Sequence, residues 1–103
     1  MISKKLEDAL NEQLNRELYS AYLYLGIAAH FESEGLKGFA GWMRAQAGEE
    51  QVHAMKIYDY LFSVDGKPVL QAIKAVETHY AKPPVEVIQE VLKHEQFITA
   101  SIN

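Results

Sequence analysis

The sequence predicts an all-α protein in which a long antiparallel helix hairpin is followed by a crossover connection and a third helix. Apolar residues recur at spacings of three, four and seven in three separate stretches, which is the periodicity of helices that bury one face. Residues 4–33 contain no proline and only one glycine, Gly26. Three helices make an incomplete four-helix bundle, and dimerisation is one way to complete it.

The first helix is predicted over about residues 4–33. Ser3 is suited to the N-cap and Gly35 to the C′ position. At 1.5 Å per residue this helix is about 45 Å long, a length typical of a bundle. Its predicted apolar stripe consists of Leu6, Leu10, Leu14, Ala21, Leu25 and Ala28.

Two further helices are predicted, over about residues 38–64 and 85–103, with the crossover at residues 66–84 between them. The short break near Gly35 favours an antiparallel hairpin, and Pro83-Pro84 suits the start of the third helix. The second stripe is Phe39, Met43, Ala47, Ala54, Ile57 and Leu61. The third stripe is Ile88, Val91, Leu92, Ile98 and Ile102. Residues 1–103 are therefore expected to form a single domain.

The composition of the chain excludes several classes of partner and of metal site. The chain has 103 residues, a net charge of -4 and no cysteine. The acidic balance argues against nucleic-acid and membrane partners, and the lack of cysteine excludes disulfides, thiolate metal sites and iron–sulfur clusters. Carboxylate and imidazole ligands suit iron, manganese or zinc. Because no apolar run resembles a signal peptide or a membrane span, the expected location is the cytoplasm.

Carboxylates interrupt all three apolar stripes. Glu17 lies between Leu14 and Ala21, and Glu50 and Glu95 occupy similar places on the second and third helices. Burying one ionised carboxylate alone costs several kcal/mol, and three that face one core also repel each other. A cation between them is therefore expected.

The second helix adds an imidazole to this set. Glu50 and His53 form a Glu-x-x-His pair, whose i, i+3 spacing lets an oxygen and a nitrogen reach the same ion. Tyr24, two turns after Glu17, is expected on the same face. Other readings stay open: Glu-x-x-His is common on solvated faces, a boundary Glu can reach water, and Tyr24 can be a packing residue. Glu49 can be a solvated neighbour, and ordinary surface or boundary positions are expected for His30, His79 and His94.

Three segments carry a resemblance to a known family. Residues 11–24 (NEQLNRELYSAYLY), 35–55 (GLKGFAGWMRAQAGEEQVHAM) and 93–99 (KHEQFIT) resemble bacterial and archaeal non-haem ferritins of the ferritin-like di-iron family. The resemblance implies that Glu17, Glu50 and His53 hold one iron, that Glu50 bridges to a second, and that Glu95 ligates the second.

The resemblance also implies a function: storage and detoxification of iron, with Fe(II) oxidised to Fe(III) by oxygen or peroxide at a ferroxidase centre. Tyr24 would be the catalytic tyrosine beside the centre, and Glu49 would belong to an additional iron site. Gln51 stands where haem-binding relatives carry the haem-ligating Met, so no haem is expected. A homo-oligomer is implied, either a dimer or larger, although helices beyond these three make many contacts of the family's 24-subunit shell.

Family members continue into a fourth helix that supplies further ligands. The missing part can come from a longer gene product, from a second polypeptide or from a second copy. A two-fold dimer would bring together two Glu17 residues and two Glu50/His53 pairs, which is the ligand set of a di-iron bundle. The rivals are a non-catalytic helical fragment or interaction protein, and a peroxide-reducing relative of the rubrerythrin kind, against which the lack of cysteine argues.

Overall fold

The computed structural model describes residues 2–102, and side chains up to residue 100, as three α-helices. Helix α1 spans Lys4–Ser33, α2 spans Lys37–Ser63 and α3 spans Pro84–Ile102. These residues contain no strand, so the all-α prediction is confirmed. The expected end of the third helix at residue 103 and the side chain of Ile102 lie outside this description. None of the described helices is long and apolar enough to cross a bilayer.

A tight turn reverses the chain between α1 and α2. Gly35 adopts φ 77°, a left-handed conformation that glycine accepts without steric strain. The Gly35 N–H donates to the Glu32 carbonyl at 3.1 Å, and the Leu36 N–H donates to the Phe31 carbonyl at 2.9 Å. This pair of bonds is a Schellman motif. At the other end of α1, the Ser3 hydroxyl accepts from the Leu6 N–H at 3.1 Å, so both predicted caps are confirmed.

The hairpin interior contains two apolar clusters. The cluster at the α1–α2 turn also includes α3, and its largest buried members are Tyr24, Phe31 and Met43. The cluster near the other end of the hairpin is built on Leu14, Ala54 and Leu61. Glu17 follows Leu14 by three residues and Glu50 precedes Ala54 by four, so both carboxylates lie where the two clusters meet.

The connection between α2 and α3 runs in an extended path along α1. At its start the Lys67 N–H donates to the Glu7 carboxylate at 2.9 Å. The side-chain amide of Asn11 then accepts from the Val69 N–H at 2.7 Å and donates to the Lys67 carbonyl at 3.0 Å. Near its end the Tyr80 N–H donates to His30 Nδ1 at 3.1 Å. The connection thus carries the chain from one end of the hairpin to the other, which is the expected crossover.

Gly26 determines how closely the crossover approaches α1. A Cβ at this position would lie 2.5 Å from the Glu77 carbonyl oxygen and 2.8 Å from a methyl carbon of Val76. The single glycine of α1 therefore provides the space in which the crossover backbone rests on the helix.

Several predicted stripe positions are wrong in detail. Leu6, Leu25 and Leu92 are exposed, although their spacing placed them with the buried residues. Phe39 is also exposed, whereas Val87, which the predicted stripe omitted, is completely buried. Spacing identifies which residues share a helix face, but burial depends on whether another element covers that face.

Two glycine substitutions test this account of the crossover. We expect Gly26→Ala to lower stability by about 1–3 kcal/mol, because its Cβ overlaps the crossover backbone. We expect Gly48→Ala to raise it by up to about 1 kcal/mol, because a Cβ there meets nothing within 4 Å and alanine favours the helix. Nothing in the structure explains why glycine stands at position 48. Urea unfolding measures the free energy of unfolding of both variants and of the unmodified chain. Equal changes in the two variants would contradict the proposed close packing of the crossover at Gly26.

Candidate metal centre

Three potential ligands meet in the middle of the hairpin. Glu17 projects from α1, and Glu50 and His53 project from α2 one turn apart. Each offers one donor atom, and the three atoms lie within 4.8 Å of one another. His53 Nδ1 is 3.7 Å from Glu17 Oε2 and 3.7 Å from Glu50 Oε2. These distances are too long for hydrogen bonds but close to the separation of two ligands on one metal ion.

The two carboxylates are buried with unmet hydrogen-bonding capacity. Glu17 is 1% exposed and Glu50 is 2% exposed, whereas half of the His53 side chain is exposed. Glu17 Oε1 accepts a hydrogen bond from Gln13 Nε2 at 3.1 Å. Glu17 Oε2 and Glu50 Oε2 have no hydrogen-bond partner. Buried oxygens without partners are rare in proteins, so these two require a ligand or a proton.

The electrostatics of the metal-free site favour a proton on Glu50. Burial is the largest of the effects that raise the pKa of Glu50 from 4.5 to about 9, and the neighbouring Glu17 and Glu95 carboxylates contribute the rest of that rise. Without a cation, Glu50 is therefore protonated at neutral pH. A cation among these oxygens would reverse this effect, because it favours the ionised form.

Helix α3 contributes Glu95 to the same region. Tyr24 is fully buried, and its hydroxyl and Glu95 Oε1 both lack a hydrogen-bond partner. Burial raises the pKa of Tyr24 above its usual range, and the nearby Glu95 carboxylate adds to that shift. Glu95 also acts on the pKa of Glu50, so its charge lies near both groups.

His94 fixes α3 against α1 beside this site. The Ser20 hydroxyl donates to the Arg16 carbonyl at 2.9 Å, so at 2.7 Å it must accept from His94 Nε2. The His94 ring also contacts Tyr24 edge-on, with ring centroids 5.7 Å apart. Burial lowers the pKa of His94, against a smaller opposing effect of Glu95 and Glu17, which favours a neutral ring with its proton on Nε2.

The structure brings most of the predicted site residues together. Glu17, Glu50 and His53 form the cluster, with Tyr24 and Glu95 beside it. Glu49, the remaining predicted site residue, is exposed and is not part of the cluster. A groove of about 520 Å³ between α1 and α2 reaches Glu17 and His53 from the surface.

The expectation for His30 is wrong. It is 2% exposed and lies with Glu34 and His79 in a second group of potential ligands. The His30-x-x-x-Glu34 spacing was a usable signal, since residues four apart on a helix share a face. The position of His79 depends on the path of the crossover, which no periodicity indicates.

With this geometry established, comparison with known proteins decides the family. The family model of the ferritin-like domain matches residues 7–103. The chain belongs to the ferritin-like family. The resemblance found in the sequence and the ferritin-like fold class are therefore confirmed.

Individual ferritins are similar over the whole chain. It is 39% identical over 103 residues to a bacterial non-haem ferritin of Bacteroides fragilis and 40% identical to one of Campylobacter jejuni, covering 64% and 61% of those proteins. An open-pore ferritin from Archaeoglobus fulgidus superposes with a TM-score of 0.93 at 43% identity. That match covers 99% of this chain and 62% of the other. The chain thus spans less than two thirds of the length of these ferritins.

The pKa of Glu50 predicts how the stability of the metal-free protein depends on pH. Between about pH 4.5 and 9 the unfolded state releases a proton that folded Glu50 keeps, so the free energy of unfolding falls as pH rises, by on the order of 1 kcal/mol per pH unit. Below pH 4.5 Glu50 is protonated in both states, and its full contribution to stability is present. We expect Glu50→Gln to flatten this slope, as measured by urea unfolding in the presence of a chelator. An unchanged slope would place the proton on another group.

Proposed function

We propose that this protein stores and detoxifies iron in the cytoplasm by oxidising Fe(II) to Fe(III) at a di-iron carboxylate centre. The observation that carries the proposal is the cluster of Glu17, Glu50 and His53, in which two buried carboxylate oxygens have no partner. Two oxygens and one imidazole nitrogen form a donor set suited to ferrous iron. Membership of the ferritin-like family supports the same substrate.

The first ferrous ion binds between α1 and α2. Glu17 Oε2, Glu50 Oε2 and His53 Nδ1 are its ligands, and the half-exposed His53 lies on the groove through which the ion enters. Gln13 orients Glu17 by donating to its other oxygen. Since Glu50 is protonated in the free site, iron binding releases its proton to solvent.

The second ion binds on the side of Glu50 that faces α3. Glu50 bridges the two ions and Glu95 ligates the second, for which the support is the unpartnered Glu95 Oε1 and the charge interaction of Glu95 with Glu50. Glu49, exposed on α2, belongs to an additional iron site near the pair.

Further ligands come from outside residues 2–102. They are supplied by more of the same polypeptide, by a second polypeptide or by a second copy of the hairpin. A second copy would provide another Glu17 and another Glu50/His53 pair across a two-fold axis. Exposed apolar side chains such as Tyr22, Trp42 and Phe97 support association with another helix or subunit.

The reaction balances when each ferrous ion gives up one electron. Two ions together supply two electrons and become ferric. With two protons from solvent, these electrons reduce oxygen to hydrogen peroxide, or hydrogen peroxide to two molecules of water. The hard carboxylate shell favours the ferric product. Tyr24 lies beside the centre, where its role is electron donation or protection against radicals.

A ferrous titration in air tests the proposed centre. We expect the ferric absorbance to rise rapidly and to saturate at a fixed ratio of iron to chain. This ratio, together with the molecular mass measured by light scattering, gives the number of chains per centre. Glu50→Ala removes the bridging carboxylate, so the rapid phase should disappear. Asp59→Asn, an exposed change on the same helix, should retain it. Oxidation no faster than in buffer would favour a non-catalytic interaction protein.

Tyr24→Phe separates electron donation from iron binding. The variant loses only a hydroxyl that has no hydrogen-bond partner, so iron affinity and stability should remain close to those of the unmodified chain. We expect rapid-freeze electron paramagnetic resonance to detect a tyrosyl radical during oxidation in the unmodified chain and to lose it in the variant. An identical radical signal in Tyr24→Phe would assign the electron to another side chain.

A further inference from the structure

The C-terminal end of α1 carries a second group of potential metal ligands. His30 lies in the last turn of α1, Glu34 is its C-cap and His79 belongs to the crossover. One donor atom from each lies within 4.8 Å of the others, and the rings of His30 and His79 have centroids 5.5 Å apart. His30 follows Glu17 by thirteen positions on the same helix, a rise of about 20 Å, so this group is distinct from the carboxylate centre.

Packing holds two of the three ligands in place. His30 is buried, contacts Phe31 and Tyr80 through its ring, and accepts the Tyr80 N–H. One turn earlier on α1, Gly26 lets the crossover backbone at residues 76 and 77 lie directly against the helix. His79 is therefore anchored on both sides, while its own ring remains exposed to solvent.

The charges at this end of α1 favour a cation. The last turn of a helix carries the negative end of its dipole, and Glu34 adds a full negative charge. Lys37, the nearest cation in sequence, pairs with Glu32 at 2.8 Å. Across the residues with described side chains, no Lys, Arg or His forms an ion pair with Glu34, whose carboxylate is exposed.

We propose that His30, Glu34 and His79 form a second metal site, which binds Zn²⁺ or Fe²⁺. Two imidazoles and one carboxylate are a donor set that borderline divalent ions accept, with water in the remaining positions. This set contains more nitrogen than the Glu17, Glu50 and His53 cluster. The second site therefore favours zinc more strongly than the carboxylate centre does.

Metal binding at this site must change the crossover. His30 Nδ1 accepts the Tyr80 N–H, so a neutral ring has its proton on Nε2 and no free lone pair. Coordination through Nδ1 displaces the Tyr80 N–H, and coordination through Nε2 moves the proton to Nδ1. Either route breaks this hydrogen bond, so an ion loosens the Tyr80 backbone from α1 while it ties His79 to the helix end.

Zinc titration followed by calorimetry tests the proposal with variants of the two exposed ligands. His79→Ala and Glu34→Gln leave the core intact, and each should weaken one class of Zn²⁺ sites by at least about tenfold. Asp59→Asn, an exposed change of a carboxylate on α2, should leave that class unchanged. Glu50→Ala should remove a different class, so failure of the carboxylate centre is distinguishable from failure of this site. Equal zinc binding by His79→Ala and the unmodified chain would overturn the proposal.

Hydrogen exchange supplies an independent readout. Zn²⁺ should increase the exchange rate of the Tyr80 amide in the unmodified chain, because its acceptor is lost, and should have no such effect in His79→Ala. Unaltered exchange at Tyr80 with zinc bound would mean that His30 is not a ligand, and it would contradict the three-residue site.

Discussion

Two buried carboxyl groups, those of Glu17 and Glu50, face each other inside the helix hairpin, and the rest of the structure depends on this constraint. Glu17 and Glu50 lie between two apolar clusters, where each is buried and has one carboxylate oxygen without a hydrogen-bond partner. A proton on Glu50 compensates for this in the metal-free protein, and in the proposed centre a cation would take its place. Burial of these carboxylates would then lower stability without metal and increase the free energy gained when a cation binds.

Helical periodicity was sufficient to find these carboxylates from the sequence. Glu17, Glu50 and Glu95 interrupt apolar stripes, and the i, i+3 spacing adds His53 to Glu50. Such positions are informative because the rotation per residue of a helix is fixed, so a polar residue in phase with buried ones must face the same way. The exposed position of Glu49, one residue away, follows from the same rotation.

Features that depend on the crossover were not predictable in this way. An extended segment without a strand partner has no periodicity that indicates which helix it follows or in what register. The contact of His79 with His30 and the close approach at Gly26 therefore appear only in three dimensions. The exposure of Leu25 and Leu92 has a related cause, because burial depends on which neighbours a helix has as well as on its own sequence.

The crossover is hydrogen-bonded to α1 at two distant residues, Glu7 and His30, so its length must match the length of the helix between them. Between Glu7 and His30, α1 rises about 35 Å. The fourteen residues from Lys67 to Tyr80 cover that distance in thirteen steps of about 2.7 Å each. A fully extended chain reaches about 3.3–3.6 Å per residue, so the segment has little slack. Removing about three residues would leave it too short to reach both anchors, whereas added residues can bulge into solvent. The connection should therefore accept insertions far more readily than deletions.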